Sequence, residues 1–185
     1  MFSTLFNLVL KPSPTINQIM QERKLKLALL GYCMGAFSIV LAHGLTTEVR
    51  PTGFVFSFIL ILFFNVCISF FFSATAHLFL ELTTGRGRAA GLFVLLGLSE
   101  FAKTLLVAFS LIALNVPALY AFKSLFVFIV LLLQLFFVLY MMKHAYGLNK
   151  KMTFLALIIS FVPSIICFFA TIFILISAII WLIFA

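Results

Sequence analysis

His77 and Glu81 stand four residues apart, and Glu100 and Lys103 three apart, within the stretch HLFLELTTGRGRAAGLFVLLGLSEFAK. On a helix, both spacings put side chains on one face. His77 and Glu81 could then share a proton. Glu100 and Lys103 could pair, each offsetting part of the other's cost of burial. Between them Arg86 and Arg88 lie among Gly85, Gly87 and Gly91. Glycines let backbone N–H groups approach an anion, so this set suits the phosphate of a lipid headgroup. Each group also has a plainer reading. His77 and Glu81 can sit at headgroup level, the arginines can mark a positively charged turn, and Glu100 with Lys103 can fasten helices.

The composition decides what surrounds these residues. Of 185 residues 65% are hydrophobic, 26 are phenylalanine and only 9% are charged, against about 25% charged in a typical soluble domain. Too little polar surface remains to face water, so the chain reads as an integral membrane protein. Its net charge of +8 is spread over the ends of apolar runs, the pattern of membrane orientation. A nucleic-acid partner would want one continuous patch, and none is expected. Cys33, Cys67 and Cys167 lie inside apolar runs without metal spacing and read as small core hydrophobes. All four acidic residues are glutamates, which excludes chemistry built on paired aspartates. No HExxH, GxSxG or phosphate-binding loop occurs. No catalysis, cofactor or metal is expected.

The elements that position the polar residues follow from hydropathy. Residues 1–24 read as an amphipathic interfacial segment, with Phe2, Leu5, Phe6 and Val9 forming one stripe. Pro12 should end that turn, with Ser13 as N-cap and Pro14 at the first helical position of the next. Residues 25–185 read as a five-span, all-α membrane bundle. The first span covers about residues 25–45, and its Gly31-x-x-x-Gly35 allows close packing within the monomer more readily than dimerisation. The second, about residues 54–80, is ~40 Å long at helical rise and overshoots a ~30 Å hydrocarbon core.

The third span, about residues 89–114, admits two forms. It can be one helix, or Gly97 and Ser99 can break it into a short re-entrant or interfacial helix and a span capped by Ser99. The broken form is the preferred expectation. A fourth span follows over about residues 118–142, and a fifth, containing Pro163, over residues 152–185. Lys11, Arg23, Lys24, Lys26, Arg86, Arg88, Lys143, Lys150 and Lys151 then share one side. That distribution predicts a cytoplasmic N-terminus and an outside C-terminus.

LFNLVLKPSPTINQI precedes a basic approach to the first span, and a long second span runs through HLFLELTTGRGRAAGLF into LGLSEFAKTLL. With five spans, this pattern resembles the Yip family of membrane proteins, named for interaction with Ypt/Rab GTPases, over nearly the whole chain. After the second span that family has small residues and glycines, then a Tyr-Ser…Pro-like break. Here the break reads Leu98-Ser99-Glu100-Phe101-Ala102, with the serine kept and the tyrosine and proline replaced. Eukaryotic members carry a long cytosolic N-terminal region used in vesicle traffic, which this chain is expected to lack, so Rab binding is not implied. The likeness is to compact bacterial members, and implies an inner-membrane protein without catalytic residues.

The expected function is interaction with membrane lipids, with other membrane proteins or by self-association, in membrane organisation or traffic. The alternative is a small transporter or lipid translocator with a polar path at the broken third helix.

Overall fold

The computed structural model describes residues 6–8, 10–22, 24–47, 50–85 and 88–184. Phe2, Leu5, Val9, Arg23, Arg86 and Gly87 lie outside the described residues. Helix α1 spans Pro12–Glu22, α2 Leu25–Gly44 and α3 Pro51–Thr84. Helix α4 runs over Ala89–Asn115, a single turn follows at Pro117–Tyr120, and then come α5 (Lys123–Tyr146) and α6 (Lys150–Phe184). Helices α2 to α6 are long and apolar enough to cross a membrane. The chain is a polytopic all-α membrane bundle with no strand among the described residues. Its outer faces expose large apolar side chains such as Phe56, Phe70, Phe136, Phe169 and Phe173. Soluble monomers rarely expose such continuous patches, whereas lipid tails favour them.

The N-terminal helix differs from expectation in its start. It begins at Pro12, and helical hydrogen bonding already runs through Lys11, whose N–H donates to the Asn7 carbonyl at 2.7 Å. Proline has no N–H to leave unsatisfied in a first turn, so no serine cap is required. Ser13 lies within α1, and its hydroxyl meets His144 Nδ1 at 3.1 Å. The apolar stripe of α1, Ile16, Ile19 and Met20, is buried against α4 and α5. Further upstream, Phe6 is exposed and Leu8 is buried.

The third span is also corrected. Its backbone stays right-handed helical through Ser99, Glu100, Thr104 and Leu105, with φ between −64° and −61°. The winding tightens to a 3₁₀ helix over Glu100–Thr104, but it does not break. Ser99 caps nothing; its hydroxyl donates back to the Leu96 carbonyl at 2.7 Å. A true interruption would strip backbone groups of partners in a medium without water. Tightened winding keeps them bonded, and a 3₁₀ stretch inside a helix often marks a functional place.

Helix α6 continues through Pro163 as one span. Proline donates no backbone hydrogen bond there, and nearby polar groups gather. Thr75 on α3 donates to the Ser160 carbonyl and meets the Ser164 hydroxyl, both at 2.9 Å. The polar contact fastens α3 to α6, two helices that pack extensively against each other.

Small residues let α2 and α4 touch backbone to backbone. A Cβ on Gly31 would fall 2.0 Å from the Gly97 carbonyl oxygen, and one on Gly97 would fall 2.7 Å from that of Ala28. Tyr32 then donates across the same interface to the Phe93 carbonyl at 2.9 Å. Gly31→Val should therefore destabilise the bundle by at least ~1–3 kcal/mol, read as a lower unfolding midpoint in detergent. Gly44→Ala, where the nearest atom is 4.0 Å away, should leave that midpoint unchanged. A stable Gly31→Val variant would contradict this packing.

Candidate functional site

Three helices each bring one polar position to the same height. Asn65 sits near the middle of α3, Glu100 and Lys103 near the middle of α4, and Gln134 near the middle of α5. Lys103 Nζ contacts Glu100 Oε2 at 2.6 Å. Asn65 Nδ2 donates to the same oxygen at 3.0 Å, and Gln134 Nε2 donates to Oε1 at 2.7 Å. Longer contacts of 3.5 Å join Lys103 to Asn65 Oδ1, and Gln134 to the Ser99 hydroxyl. Glu100 is 5% exposed and Lys103 7%.

The arrangement follows from the price of burying charge in an apolar medium. An isolated buried carboxylate costs several kcal/mol, and it is tolerated only when paired and hydrogen-bonded. Here an ammonium cancels its charge and two amides from neighbouring helices occupy its oxygens. The 3₁₀ winding carries Glu100 and Lys103 three residues apart, where side chains eclipse. Gly35 on α2 completes the fit, because a Cβ there would lie 2.7 Å from Glu100 Oε2 and 2.9 Å from Glu100 Cβ.

A cavity of about 540 Å³ borders the cluster between α3, α4, α5 and α6. Asn65, Glu100, Lys103 and Gln134 supply its polar wall, and residues such as Phe72 and Leu157 its apolar one. A second cavity, about 310 Å³, lies between α2, α4 and α5 and is lined by Lys103, His43 and Lys123 among others. Lys103 thus borders both. Volumes of this size suit small ligands or parts of larger ones.

The other sequence candidates fall elsewhere. Gly85 takes φ 65° and its N–H donates to the Glu81 carbonyl, the left-handed ending that glycine allows after a helix. Gly85, Arg88 and Glu81 line a polar recess of about 520 Å³ with Asn17 and Gln21 of α1. Among the described residues an anion there meets the Arg88 guanidinium but also the Glu81 carboxylate, while Arg86 and Gly87 lie outside them. The Arg88 carbonyl accepts from the Tyr146 hydroxyl at 3.1 Å, which ties the recess to α5. Among the described residues His77 Nδ1 is buried without a hydrogen-bond partner, so no hydrogen bond joins that nitrogen to Glu81. Among the described residues no three His, Cys, Asp or Glu side chains gather as metal ligands would.

Sequence reasoning missed Asn65 and Gln134. Each is a lone amide at the centre of an otherwise apolar span, in ILFFNVCISF and LLLQLFF. That position is itself a signal, since an amide in hydrocarbon needs a partner on another helix.

No family model matches the chain, no curated protein is similar enough to count as a relative, and no solved structure matches it.

Single changes Glu100→Gln and Lys103→Met each strand a charge in the bundle. Each should cost ~3–5 kcal/mol, while the double variant restores most of the lost stability. Thermal unfolding in detergent followed by size-exclusion fluorescence checks this, and single variants as stable as the parent would deny the pair its structural role.

Proposed function

We propose that this chain is a non-catalytic integral membrane protein that works by holding a lipid or lipid-like molecule against its mid-span polar cluster. The carrying observation is the cavity of about 540 Å³ whose polar wall is the Glu100–Lys103 pair with Asn65 and Gln134. A purely structural ion pair gains nothing from bordering open space, whereas a binding site needs that combination of an apolar body and a few placed polar groups. The polar recess lined by Arg88 and Glu81, with Arg86 and Gly87 next to Arg88 in sequence, would take headgroups at the membrane surface. The excess of lysine and arginine on one side of the spans supports a cytoplasmic N-terminus and an outside C-terminus. The resemblance to compact bacterial Yip proteins supports an inner-membrane setting and a role in membrane organisation or traffic.

A second reading, a small translocator, draws on one feature. Lys103 borders two cavities, of about 540 and 310 Å³. A side chain in that place can act as the partition between two half-paths.

Native mass spectrometry of the protein, extracted gently from its own membrane, tests the leading reading. A stoichiometric amphiphile should remain on the parent chain and be lost from the Glu100→Gln, Lys103→Met double variant. A protein partner with no retained small molecule would overturn lipid holding and leave a scaffold role, by partner binding or self-association.

A further inference from the structure

We infer that the mid-span cavity takes an uncharged amphiphile with a hydroxyl or carbonyl head, admitted sideways from the bilayer between α5 and α6. The inference rests on the lipid-holding reading above and specifies its ligand.

Charge balance comes first. Glu100 and Lys103 already cancel each other, at 5% and 7% exposure, and both stand near the middle of their span. An anionic or cationic head would leave one unpaired charge in the apolar interior, where each such charge costs several kcal/mol. A neutral head adds none.

Hydrogen-bonding capacity comes second. Lysine has three N–H donors, and the Lys103 ammonium directs two of them, one to Glu100 and one to Asn65 at 3.5 Å. Gln134 spends its amide nitrogen on Glu100 and Ser99. Its amide oxygen has no hydrogen-bond partner among the described residues. The cluster therefore keeps two unspent N–H donors beside the cavity, one on Lys103 and one on the Asn65 amide, together with the Gln134 amide oxygen as an acceptor. A hydroxyl accepts from one of these donors and donates to the Gln134 oxygen; a carbonyl accepts from either donor.

The route of access comes third. Leu131 and Leu135 on α5 and Phe161 on α6 line the cavity, yet they are 51%, 42% and 49% exposed. These side chains lie on the apolar exterior of two spans, so the cavity opens toward lipid between them. Its volume of about 540 Å³ equals roughly 18 water volumes at ~30 Å³ each. A head and a short length of chain fit inside, and the remaining tail stays in the bilayer beyond Leu131 and Phe161.

The test uses the full chain in nanodiscs with four diazirine probes that share one long tail: an alcohol, a methyl ketone, a fatty acid and a primary amine. Peptide mass spectrometry reads where each one attaches. The alcohol or the ketone should label cavity-lining residues of α5 and α6, at least about ten-fold more than the fatty acid or amine, and the better of the two identifies the head. Gln134→Leu should weaken alcohol labelling roughly five- to ten-fold. Leu135→Trp should block entry; Leu131→Phe serves the same purpose if Leu135→Trp does not fold, with the unfolding midpoint checked for both. Equal or stronger labelling by the fatty acid or amine would overturn the uncharged head while leaving lipid holding intact. Absence of cavity labelling by all four probes, with no amphiphile retained in native mass spectrometry, would overturn both.

Discussion

A carboxylate near the middle of a membrane span needs compensation from more than its own helix. Lys103 can cancel the charge of Glu100 from within α4, but the remaining lone pairs must be met by other spans. Asn65 and Gln134 meet them from α3 and α5, so one carboxylate fixes the relative height and rotation of three helices. A fourth helix, α2, enters because Gly35 leaves room against Glu100. Sliding α3, α4 or α5 by one turn would leave buried charge or amide groups unpaired.

The rest of the bundle is held by means suited to a solvent of lipid tails, which offers little hydrophobic drive between helices. Backbone contact replaces it where Gly31, Gly97 and Ala28 bring α2 against α4. Hydroxyl groups replace it beside Pro163, where Thr75 reaches the Ser160 carbonyl across α3 and α6. Even the N-terminal helix is drawn in. Its apolar stripe at Ile16 and Ile19 is covered by α4 and α5, and Ser13 reaches His144. Outside the spans, Glu22 pairs with Lys24 at 2.7 Å, and the Lys24 ammonium holds its carboxyl below the usual carboxylate range.

The same cluster that orders the helices also borders open space, and this double duty gives the functional reading its weight. A group used for packing alone is best enclosed. Here the polar wall faces a cavity whose rim, at Leu131, Leu135 and Phe161, lies on the lipid-facing surface. The 3₁₀ tightening at Glu100–Thr104 sits at that wall, where a local change of winding would shift Glu100 and Lys103 together.

Much of the architecture was legible without coordinates. Unbroken apolar runs and their basic flanks dictate five spans, because length and hydropathy act locally on each segment. The spacing of Gly31 and Gly35, and of Glu100 and Lys103, likewise marked residues that the bundle uses. Other features depended on which helices become neighbours. Gly97 and Ser99 suggested a break, yet Gly97 faces Ala28 of α2 and Ser99 bonds back to Leu96, so the helix continues. Ser13 looked like a cap and instead meets His144, far along the chain. Asn65 and Gln134 looked like isolated amides until tertiary packing set both on one carboxylate. Sequence patterns determine the membrane class, the spans and the candidate charges, because those arise within single helices. The assignment of partners, and with it the cavity, was decided only when the helices met, because a buried polar group takes its role from what faces it.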